Sequence, residues 1–196
     1  MENSIDSKIN NTRDGVTQIG KDLRFTAKHI AYSKRAGARR QVYLVQDGGY
    51  DTHTGQLSMD PGNPGLETRF NDVTSSLTGF DQSMRSLGMQ DEVVTIVLSE
   101  FGRTLDPASG AGSDHGWGNH HFVVGGAVKG QQFVGRAPPV SIANSGASED
   151  QWHVGSGSLL PSTSIDQFAS TLASWFGVPG SVLGLIMPNV GNFGGS

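Results

Sequence analysis

Residues 93–98 read VVTIVL, a continuous apolar and β-branched run between Asp91–Glu92 and Ser99–Glu100. A run this short, bounded by charge, reads as a strand rather than a helix. A strand with no polar face is expected at the centre of a parallel sheet, covered on both sides. The chain supplies amphipathic helices for such a cover. From Val16, Ile19, Leu23, Ala27 and Ile30 recur at three- and four-residue steps, predicting a helix to about Lys34. Phe70, Val73, Leu77, Phe80, Met84 and Leu87 predict a second that ends at Gly88. A third carries Ile165, Phe168, Leu172 and Trp175, opens on a capping box of Ser164 and Gln167, and stops at Gly177.

Two more apolar stretches, QVYLV (41–45) and FVVGG (122–126), read as further strands, with an edge strand around Val140–Ala143. Residues 102–120 read as a long glycine-rich loop. The order helix–strand–helix–strand–loop–strand–helix predicts an α/β domain with a mostly parallel sheet and flanking helices. Residues 1–12 are polar and aperiodic and read as a disordered arm, leaving 13–196 as one domain without internal repeats.

Composition removes several classes of function. The net charge of −4 gives no electrostatic footprint for nucleic acid. The basic cluster Lys34, Arg35, Arg39 and Arg40 reads as the solvated end of the first helix. The absence of cysteine excludes disulfides, thiolate metal sites and cysteine nucleophiles. No apolar run approaches the ~18 residues of a membrane span, and MENSIDSKINN lacks the basic and apolar regions of a signal peptide.

The chemistry-bearing residues gather at predicted strand ends, where α/β sheets bind ligands. QDGGYDTH (47–54) follows the first strand, SEFGRT (99–104) the second, and GSDHGWGNHH (112–121) precedes the third. Aspartate, glutamate and histidine are the donors a cysteine-free chain has for zinc or manganese. Asp51 and His53, two apart on an extended segment, point to one side; Asp114 and His115 converge through a turn that their flanking glycines permit. Glu100 is placed as a ligand or base, and Arg103 as a clamp for phosphate or sulfate. Each residue also has an ordinary reading: Asp51 as a turn residue, His53 as a surface histidine, Glu100 and Arg103 as a local ion pair. One of His120 and His121 faces solvent if they begin a strand, and His29 and His153 read as structural. GSGS (155–158) reads as a turn, and no P-loop, G-x-S-x-G or H-E-x-x-H motif is present.

The segments RRQVYLVQDGGYDTHTGQ, VLSEFGRT, GSDHGWGNHHFVVGGAVKG, SIDQFASTLASWFGV and MPNVGNF, in order from about residue 14 to 193, resemble a bacterial family, domain of unknown function 1501. Its members are described as exported by the twin-arginine route and resemble the alkaline phosphatase and sulfatase superfamily. The resemblance implies an alkaline-phosphatase-like sheet and a metal-dependent hydrolase of small phosphate or sulfate esters. It implies periplasmic or exported location. Asp51, His53 and His115 match its metal ligands, with Glu100 in a further acidic place, and in a second register Asp114 and His115 form the acid–histidine pair with His120 or His121 last. Phe101 stands where the superfamily has a histidine. The superfamily's nucleophile lies in an amino-terminal half that has no counterpart here, so the resemblance implies a carboxyl-terminal portion whose partner is that half. A non-catalytic, exported binding or structural protein is the alternative the same residues allow.

Overall fold

The computed structural model describes residues 17–140 and 152–192. The chain forms two compact units. The first comprises the described residues up to Glu100 with Pro107–Asp114 and His120–Gly130; the second comprises Phe101–Asp106, His115–Asn119 and the described residues from Gln131 onward. The expected arm at 1–12 lies outside the described residues, as do 141–143 of the expected edge strand; Val140 is in no strand.

The first unit is built on two helices, α1 (Gln18–Arg35) and α2 (Leu66–Ser86). Both match the apolar periodicity. The Thr17 hydroxyl caps α1 by accepting from the Gly20 N–H at 3.1 Å. Leu23, Ala27, Ile30 and Ala31 of α1 and Phe80 and Met84 of α2 form the core with Met89, and Tyr43, Val45, Leu77 and Val93 pack around it. Small residues let the helices approach: Ala27 and Ala31 on one, Ser76, Gly79 and Ser83 on the other. The buried Thr26 and Ser83 hydroxyls donate to the carbonyls of Asp22 and Gly79, so neither is left unsatisfied. Gly88, at φ +68°, ends α2. Its N–H donates to the Arg85 carbonyl and that of Met89 to Met84, returning Met89 to the core beside Met84.

The expected mostly parallel, alkaline-phosphatase-like sheet does not form. Among the described residues there are two short two-stranded sheets. VVTIVL contributes only β1 (Thr95–Val97), antiparallel to β4 (Phe122–Val124) with Ile96 opposite Val123. FVVGG thus supplies the predicted strand, but in the opposite sense. QVYLV forms no strand. Tyr43 and Val45 turn inward while Val42 and Leu44 are 84% and 83% exposed, yet no backbone hydrogen bond to a described residue holds the segment. The period-2 burial is present without a ladder, because side-chain alternation fixes which face is apolar and a ladder also needs a partner. VVTIVL likewise was expected to be covered on two faces, but Ile96 and Leu98 are exposed.

The glycine-rich stretch is a second departure. Instead of a loop, 102–116 contains β2 (Gly102–Ala108) and β3 (Gly112–Gly116), the second two-stranded sheet. Gly110 and Ala111, at φ +90° and +58°, make the turn between them.

In the second unit, the start of β2 meets the turn at 155–158: the Leu105 N–H donates to the Gly157 carbonyl. Helix α3 (Ile165–Phe176) has the predicted capping box, the Ser164 hydroxyl accepting from the Gln167 N–H and the Gln167 side chain from the Ser164 N–H. Gly177, at φ +100°, closes it, and α4 (Gly180–Ile186) follows. The Asp166 carboxylate accepts the Asn189 N–H, tying the turn after α4 to α3.

Candidate functional site

In the first unit, residues 52–56 run antiparallel beside 110–114. The Ser113 N–H donates to the Thr52 carbonyl, Gly55 to Gly110, and Gln56 to Ala111, at 3.2, 3.0 and 2.9 Å. This pairing is what brings the QDGGYDTH and GSDHG segments together. Gly112 permits it, because a Cβ there would fall 2.1 Å from the His53 carbonyl carbon and 2.4 Å from the Thr52 carbonyl oxygen. Strand alternation then sends Thr52 and Ser113 to a buried face and His53 and Asp114 to the exposed one.

On the exposed face His53 lies between two carboxylates. Its Nδ1 is 2.8 Å from Asp114 Oδ1 and its Nε2 is 2.9 Å from Asp51 Oδ1. The Asp51, His53 and Asp114 side chains are 49%, 48% and 62% exposed. On the buried face, Gln56 Oε1 accepts from the Ser113 hydroxyl at 2.5 Å and the Thr52 hydroxyl at 3.3 Å.

The loop before Asp51 is anchored to α2. Arg69 donates from Nη1 to the Gly48 carbonyl and from Nε to the Pro64 carbonyl. Its guanidinium occupies the space a side chain at Gly49 would need, 2.3 Å from a Cβ there, and Gly49 takes φ +88°. The Tyr50 hydroxyl donates to Asp47 Oδ2, and its ring lies 5.8 Å from that of Phe70. Burial, then the Asp47 hydrogen bond and charge, push the Tyr50 phenol above its usual range.

The other expected site residues divide between the units. Glu100, in the first, lies beyond β1, exposed, with no hydrogen bond or ion pair to a described residue. His115 and Arg103 belong to the second unit, where both engage Phe101. The His115 ring stacks on it at 3.8 Å and 18°, and the Arg103 guanidinium lies 5.8 Å from its centroid.

The two histidines read as structural each bond to neighbouring groups. His29 bonds Tyr43 and Ser33 on the outside of α1. His153 Nε2 accepts the Gly157 N–H and shapes the 155–158 turn. Sequence reading did not single out Gln56, Ser113 or Arg69, whose signal was indirect: the glycines at 49 and 112 mark where another group needs the room.

Neither the search of curated proteins nor that of solved structures gives a match. The model of one family, described as protein of unknown function (DUF1501), matches residues 4–160, a span that includes every residue of the Asp51–His53–Asp114 group. The chain belongs to that family.

Proposed function

We propose that Asp51 and His53 hold a divalent ion, zinc or manganese, and that Asp114 orients His53 from behind. The observation that carries this is the 2.9 Å separation of His53 Nε2 from Asp51 Oδ1. Two lone-pair atoms so close need a proton or a cation between them. With Nδ1–H donating to Asp114, the Nε2 lone pair lies beside the Asp51 carboxylate, the carboxylate–histidine arrangement that raises ligand basicity in metal centres. The oxygen and nitrogen donors suit either ion. His115, the residue after Asp114, is the third donor the motif spacing supplies.

The reaction class we propose is hydrolysis of small phosphate or sulfate esters. A divalent ion supplies Lewis-acid polarisation of an ester oxygen. Arg103 provides the charge for the anionic group, and Glu100 a carboxylate to orient water. Family resemblance supports this class and an exported location. The half-exposed carboxylates favour a second reading, a non-catalytic protein that keeps the ion, because an open site excludes little water. Assay of an aryl phosphate and an aryl sulfate with the zinc- and manganese-loaded protein separates the two. Turnover lost in Asp51→Asn is the expected result. Ion binding without turnover of either ester assigns the non-catalytic role.

A further inference from the structure

We infer that Gln56 is a positioning residue for this site, acting from the opposite face of the 52–56/110–114 pair. The exposed face is useful only if His53 Nδ1 meets Asp114, and that depends on register. A slip of one residue would exchange the faces, sending the His53 side chain inward or bringing Ser113 to the front. The backbone bonds do not by themselves exclude a slip. The buried face does, because it carries a specific polar match: two hydroxyl donors, Thr52 and Ser113, both nearly inaccessible, and one amide oxygen that takes both. Gln56 Oε1 has two lone pairs, and the native register supplies a hydroxyl for each. Gln56 is itself fixed by its N–H, which donates to the Ala111 carbonyl. Thr52 precedes His53 and Ser113 precedes Asp114, so one acceptor on the buried face sets the pair on the exposed face.

The ion-affinity consequence rests on the metal reading above; the hydrogen-bond consequence does not. In metal-free protein at low temperature, the His53 Nδ1–H proton, held by Asp114, gives a downfield imidazole resonance that disappears in Asp114→Ala. Gln56→Leu should remove that resonance and weaken zinc binding in calorimetric titration by about 10- to 100-fold, the range for outer-shell groups. Gln56→Glu, which keeps an oxygen for both hydroxyls, should retain the resonance. If Gln56→Leu does not fold, Ser113→Ala and Thr52→Val remove the donors one at a time and should each weaken the same resonance. A resonance unchanged in Gln56→Leu, or in both single-donor variants, overturns the inference. A parent protein that binds no zinc while the resonance responds as expected overturns the metal reading and leaves Gln56 in its role.

Discussion

Gly112→Ala isolates the contact on which the site is built. The added methyl would lie 2.1 Å from the His53 carbonyl carbon and oxygen and 2.4 Å from the Thr52 oxygen. Those atoms are backbone and cannot swing aside, so the two segments must separate. The Ser113–Thr52 backbone bond is lost first, at about 0.5–1.5 kcal/mol. Separation also draws the buried Ser113 hydroxyl from Gln56, a second bond worth about 0.5–1.5 kcal/mol. Together these predict a destabilisation of about 1–3 kcal/mol. Gly48→Ala is the control, since a Cβ there meets nothing within 4 Å and Gly48 has no positive φ; it should stay within about 0.5 kcal/mol of the parent. Urea denaturation of the three proteins measures both. If Gly112→Ala unfolds with Gly48→Ala, the segments do not pack as described.

Other consequences follow from the same geometry. Asp114→Asn should weaken zinc binding by about tenfold, as an outer-shell change does, whereas Asp51→Asn should abolish it by removing a ligand charge; calorimetry distinguishes them. Arg69→Ala removes two charge-assisted bonds to loop carbonyls and should cost about 1.5–3 kcal/mol in urea denaturation, with faster amide exchange in residues 48–51. Tyr50 should ionise above the ordinary tyrosine range in an alkaline spectrophotometric titration. Because its folded-state pKa is raised, its contribution to stability is full below the ordinary tyrosine value of ~10 and is lost as pH climbs through the higher one.

The helices were legible because their evidence is local. Leu23, Ala27 and Ile30 on α1, Phe80 and Met84 on α2, and the Ser164–Gln167 box each declare themselves within a few residues. The sheet was not, because pairing is non-local. VVTIVL and QVYLV carry the apolar content of strands, but nothing within either says what it pairs with or in which sense. The first found β4 antiparallel; the second found no ladder partner among the described residues. The glycine-rich stretch misled for a related reason. Glycines at 110 and 112 suggest a loop by composition, whereas one makes a hairpin turn and the other admits a neighbouring backbone. Of the candidate site, the segments that hold it were legible from residue type, but the expected set was Asp51, His53 and His115, and the contact of His53 with Asp114 was not foreseen. Its origin in the 52–56/110–114 pairing, with Gln56 behind, depends on an alternation that only the paired segments reveal.

In the proposed function His53, set between Asp51 and Asp114, is a ligand for a divalent ion. Calorimetric titration of metal-free parent, His53→Ala, His115→Ala and His153→Ala with zinc chloride tests it directly, repeated in acid because a proton competes for the same imidazole lone pair. The expected result is about one ion bound by the parent and by His153→Ala, weaker binding by His115→Ala, and loss of binding by His53→Ala and on acidification. A parent that binds no ion, or three variants that titrate alike, would contradict it.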